Sequence, residues 1–137
     1  MRVATGAGAV VLGALFAIAC ASATDSLPNS PSPPGRQAVL APIDRLEVRV
    51  LESSPPQYML NVRAGLPSGC AEKNRHDAER VGEAIKVTVL NWMPTGSQPC
   101  TMIYGSYELN INVGNDFRPG TTYSVTVNDK KTAFVAQ

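Results

Sequence analysis

Three cysteines and one histidine are the side chains of this 137-residue sequence best suited to chemistry: Cys20, Cys70, Cys100 and His76. A thiol beside an imidazole can make a nucleophile–base pair, and the same groups ligate zinc. Neither arrangement is written here. There is no C-x-x-C, and one histidine with two downstream thiols cannot fill a tetrahedral zinc shell without carboxylates. No G-x-S-x-G elbow is present. His76 and Asp77 are adjacent, and neighbours in an extended strand point to opposite faces. The 11 acidic residues are scattered rather than paired across a cleft, as carboxylate chemistry on glycosides requires. The glycine-rich stretches lack phosphate-loop spacing. The expectation is therefore no catalytic residue, no metal ligand, no cofactor and no enzymatic activity.

The cysteines acquire their meaning from the N-terminus. Arg2 precedes an uncharged Ala/Gly/Val/Leu run through Ala19, and Ala21-Ser22-Ala23 follows, which is the composition of a secretory signal peptide. An exported chain meets oxidising conditions, so the even pair Cys70 and Cys100 is expected to form a disulfide. Closing a loop of about 31 residues stabilises a fold by roughly 3.7 kcal/mol on the chain-entropy estimate. Pro28, Pro31, Pro33, Pro34 and Pro42 lie among small polar residues, so residues 21–42 read as an extended linker. The organisation expected is a signal peptide over residues 1–20, a linker over 21–42 and one folded domain over 43–137. The chain carries 12 basic and 11 acidic side chains, and losing Arg2 leaves the two balanced. That balance provides no electrostatic footprint for nucleic acid.

Ala17-Ile18-Ala19-Cys20 resembles the lipobox of bacterial lipoproteins, with alanine where that pattern usually has leucine. The resemblance implies that Cys20 is lipidated and becomes the N-terminus of a protein held on the bacterial cell envelope by a membrane anchor. Two alternatives stand beside it: cleavage after Ala23 to release a secreted protein, and retention of the apolar run as an uncleaved anchor.

Beyond the linker, apolar and polar residues alternate with a period of two. Leu46, Val48 and Val50 alternate with Arg45, Glu47 and Arg49; Tyr58, Leu60, Val62 and Ala64 with Met59, Asn61 and Arg63. The same pattern runs through Ile85, Val87 and Val89, through Tyr107, Leu109, Ile111 and Val113, and through Tyr123, Val125 and Val127. Proline- and glycine-rich turns separate these runs, and no sustained helical stripe occurs, so the fold class is all-β. Glu72–Arg80 is almost wholly charged or polar. It reads as an exposed edge strand or hairpin arm turning at Val81-Gly82, with a short helix supported by Arg75–Glu79 as the alternative.

Phe117-Arg118-Pro119-Gly120-Thr121-Thr122-Tyr123 resembles the E–F corner of fibronectin type III and immunoglobulin-like domains. The resemblance implies a small sandwich of about seven strands in which Pro119 and Gly120 shape the turn and the Tyr123 hydroxyl bonds back to the corner. A small barrel is the second choice. Trp92 lies on a different strand from the core tryptophan of antibody-type domains. The order Leu66-Pro67-Ser68-Gly69-Cys70, charged hairpin, Cys100 and Pro119-Gly120 to Tyr123 is also similar to a group of exported bacterial domains. That similarity implies the sandwich and its bridge and transfers no catalytic residue.

The function expected is a non-catalytic binding or interaction module with a protein or envelope partner. Its candidate surface is the stretch from Asn91 to Pro99 with Trp92 and Met93, together with Tyr104 and Tyr107, since interfaces recruit aromatic residues and methionine. Trp92 and Met93 capping one end of the core is the structural alternative. A protease-inhibitor-like domain and a structural envelope component are the alternative roles. For the anchor, detergent phase partitioning distinguishes the outcomes: the wild-type protein enters the detergent phase and a processed Cys20→Ser variant stays aqueous. Two aqueous proteins would rule out lipidation.

Overall fold

The computed structural model describes residues 31–137. The signal peptide, Cys20 with its lipobox, the cleavage position after Ala23 and the first part of the linker lie outside the described residues. Eight strands follow one another: β1 (Arg36–Leu40), β2 (Ile43–Leu51), β3 (Gln57–Leu66), β4 (Glu72–Val81), β5 (Ala84–Pro94), β6 (Gly105–Gly114), β7 (Thr122–Val127) and β8 (Lys130–Val135). There is no helix among the described residues.

Folded structure starts earlier than residue 43. Between Pro34 and Pro42 the stretch Arg-Gln-Ala-Val-Leu keeps every backbone N–H, so it can pair, and it does so antiparallel to the end of β5 from Arg36↔Pro94 to Leu40↔Leu90. Arg36 is further fixed by a paired-contact ion bridge to Glu72 on β4, its Nη2 donating to Oε1 at 2.7 Å. Those hydrogen bonds hold the Glu72 carboxyl below its ordinary range.

The strands form two sheets. One runs β2-β3-β6, antiparallel throughout. The other is built on β5, which pairs along one edge with β4 and along the other with β7 and then β1, β8 lying outside β7. The β5–β7 pair is parallel, from Ala84↔Ser124 to Val87↔Val127. Immunoglobulin-like sandwiches consist of two antiparallel sheets, so this β-sandwich departs from them in pairing, and it has eight strands rather than about seven. The segment from Glu72 is a strand and not a helix: it is in register with β5, turns at Gly82 with a φ of 58°, and Arg75 bonds Asp77 two residues on.

The alternation read from the sequence builds the core. Tyr58, Leu60, Val62, Ala64, Leu109 and Ile111 of one sheet face Ile85, Val87, Val89, Tyr123, Val125 and Val127 of the other. Each such Leu, Ile or Val contributes about 1.5–3 kcal/mol on burial. Leu46 and Val48 pack against this cluster, while Val50, near the end of edge strand β2, is exposed. At one end Tyr58, Phe117, Tyr123 and Phe134 stack or meet edge to face at centroid separations of 4.8–5.6 Å. Arg80 lays its guanidinium over Phe117, 4.4 Å from the ring centre, and donates to Asp116. The corner closes locally: the Arg118 N–H donates to the Tyr123 hydroxyl at 3.0 Å, and Gly120 takes a φ of 76° beside Pro119.

One side chain joins β7 and β1 along the β5 edge. Asn128, in the β7–β8 turn with a φ of 49°, accepts from the Val89 N–H at 2.9 Å. Its amide donates to the carbonyls of Ala41 at 2.7 Å and Val89 at 2.9 Å. The amide thus does the work of a missing strand residue between the end of β7 and the start of the β1–β2 connection. Asn128→Gly keeps the left-handed backbone and removes only the amide, so it is expected to lose about 2–3 kcal/mol in urea melts, because it leaves part-buried backbone groups unpaired. Melting at the wild-type midpoint would show that the amide bridges nothing of consequence.

Candidate functional site

At the end of the sandwich opposite the aromatic cluster, the connection from β5 to β6 is tied down before it becomes apolar. Cys70 and Cys100 form the disulfide, with Cα atoms 5.5 Å apart. The Gly69 N–H donates to the Thr101 carbonyl at 2.9 Å. Past this clamp come three consecutive apolar side chains held in solvent: Met102 is 90% exposed, Ile103 71% and Tyr104 53%. β6 then begins at Gly105, paired with Leu66 of β3.

Tyr104 secures the other side of the segment. Its hydroxyl donates to Asp44 Oδ1 of β2 at 2.6 Å, and its ring lies so close across Gly65 that a Cβ there would stand 1.8 Å from the hydroxyl oxygen. Glycine at 65 is therefore a requirement of close approach. The hydrogen bond to Asp44, followed by lost solvation and the carboxylate's charge, pushes the Tyr104 phenol above its ordinary range, with Arg63 opposing.

Beneath Tyr104 lies a polar joint between the sheets. Asn91 on β5 is fully buried, donates to the Gly65 carbonyl at 2.8 Å and accepts from the Tyr107 hydroxyl at 2.7 Å. Burial raises the Tyr107 phenol as well. Lys73 of β4 sits 5.7 Å from the centre of the Tyr107 ring. A buried amide with both partners in place fixes the register of β5 against β3 and β6, because any slip would strand it.

The residues expected to form the binding surface separate into two groups. Trp92 and Met93 are in strand β5, half-buried and paired with Ala38 and Gln37 of β1, not in a loop. The strand continues there because β1 supplies partners. Tyr107 is half-buried with its hydroxyl turned to Asn91. Tyr104 alone of the four is exposed, next to Met102 and Ile103, which the alternation does not single out. The signal was available as three apolar residues without alternation, one residue after a bridged cysteine. Asp44 and Asn91 carried no such signal, since their partners are distant in sequence. His76 is exposed, and no group of three His, Cys, Asp or Glu side chains is placed to hold a metal ion among the described residues. The arrangement is an apolar edge held in place, with hydrogen-bonded polar groups behind it.

A family model described as the ORF11 beta-sandwich domain matches residues 60–136, more than half of the 137-residue chain. No curated protein and no solved structure is similar enough to match.

The Tyr104–Asp44 bond has a pH signature. A phenol whose folded pKa is raised stabilises the fold below the ordinary tyrosine range near 10 and stops doing so as pH rises through the folded value. Ultraviolet titration of wild type against Asp44→Asn is expected to show one tyrosine moving to lower pH in the variant. Superimposable titration curves would mean that the carboxylate does not hold Tyr104.

Proposed function

The chain belongs to the ORF11 beta-sandwich domain family, and we propose that it serves as a non-catalytic interaction module tethered to the bacterial cell envelope. The observation that carries this reading is the run Met102–Ile103–Tyr104, kept in solvent by a disulfide on one side and by the Asp44 bond on the other. Isolated exposed apolar residues are ordinary, but three in succession on a clamped segment form a contact edge whose ordering cost is already met. The tether is Cys20, lipidated as its lipobox resemblance implies, with the proline-containing stretch after it as spacer. The immunoglobulin-like corner at Pro119, Gly120 and Tyr123 supports a scaffold of that general kind, with the parallel β5–β7 pair as its own variation.

Photo-crosslinking in intact cells tests the contact edge. The full chain carrying p-benzoylphenylalanine in place of Ile103 is expected to yield an adduct with an envelope component, protein or lipid. The same group in place of Glu83, in the turn at the far end of β5, is expected to yield none. Equal yields from the two positions, or none from either, would remove the basis for an interaction module.

A further inference from the structure

We infer that Met102, Ile103 and Tyr104 rest in the interfacial layer of a lipid bilayer, at the end of the domain where the chain enters it. This deepens the reading of an envelope-tethered contact edge and rests on it. The choice of a bilayer comes from where the chain enters the domain. Gly35 accepts from the Thr95 N–H at 3.0 Å, and Arg36 is opposite Pro94. Thr95 opens the connection that carries the apolar residues, so the N-terminal tether and the contact edge leave the sandwich at the same end.

Distance permits the contact. The 16 residues from Cys20 to Arg36 span about 50 Å at full extension, and β5 itself is about 33 Å long. An anchored chain of that reach permits this end of the domain to meet the membrane surface, with the Gly82–Glu83 turn a strand's length from it. The side chains match the layer's gradient. Ile103 and Met102 carry no polar group on their side chains and suit the acyl boundary. Tyr104 keeps its hydroxyl on Asp44 while exposing its ring, the disposition of interfacial tyrosines. Arg63, bonded to Ser106 at 3.0 Å, lies opposite Glu108 and near the Asp44 carboxylate on Tyr104, so charge here is balanced and the apolar side chains carry the contact. An acyl anchor and an inserted edge are two attachments, and the second fixes the domain's orientation as the first alone cannot.

The experiment uses the full, processed chain on vesicles of phosphatidylethanolamine and phosphatidylglycerol at 3:1, with p-benzoylphenylalanine replacing Ile103 or Glu83. Flotation reports the tether, and mass spectrometry reports lipid adducts. The expected result is flotation of both proteins with lipid adducts at least 10-fold more abundant from position 103. Adding Met102→Ser and Tyr104→Ser should cut the adduct at 103 several-fold while flotation is unchanged. Flotation with equal or absent adducts overturns the membrane contact and leaves the tether standing. Failure to float, with no adduct, overturns both. Exclusive protein adducts from position 103 in cells overturn the bilayer contact while leaving an interaction module in place.

Discussion

Strand β5 is the member on which the other parts of this sandwich depend. Its one edge serves β4 along its length; its other edge is divided between a parallel strand, β7, and an antiparallel one, β1. Two strands cannot abut without leaving backbone groups between them, and burying such groups unpaired is costly. The Asn128 amide fills that interval, and it can reach because it sits in the turn immediately after β7 in a left-handed conformation that asparagine tolerates. Farther along the same strand, Asn91 joins β5 to the opposite sheet. Two amides on or against β5 therefore set both the lateral order of one sheet and its alignment with the other.

What was legible in the sequence was the pattern with a short period. Alternation located the buried faces of β3, β5, β6 and β7, because a half-buried strand imposes that order on neighbouring residues. The disulfide was legible from cysteine arithmetic, and the corner at Tyr123 from a local motif. β1 was not, since the prolines around it mask a five-residue strand that exists because β5 offers it an edge. The parallel β5–β7 pairing left no trace either, as it depends on which strands meet after a long connection. The extent of β5 was hidden for the same reason: it runs past Trp92 because β1 pairs with it there, and the exposure of Met102 and Ile103 is visible only once the clamp around them is seen.

The family match begins at Leu60, within β3. The two strands before it nevertheless contribute to both special features of the domain. Ala41, at the β1–β2 connection, supplies a carbonyl to Asn128, and Asp44 on β2 supplies the carboxylate for Tyr104. The matched region contains the apolar run and its disulfide clamp, and Asp44, ahead of it, adds the bond that fixes Tyr104.

The long-range pairings also bear on when this domain can fold. Arg36 pairs with Pro94, Ala84 pairs with Ser124, Phe134 stacks on Tyr58, and the Gln137 N–H donates to the Tyr58 hydroxyl. Nothing local substitutes for these contacts, so the early strands have only part of their core until residues 134–137 arrive. Such a topology folds slowly for its size, because loop closure precedes the contacts that reward it. A chain of this topology keeps the Tyr58 side of its core uncovered until β8 is there to close it.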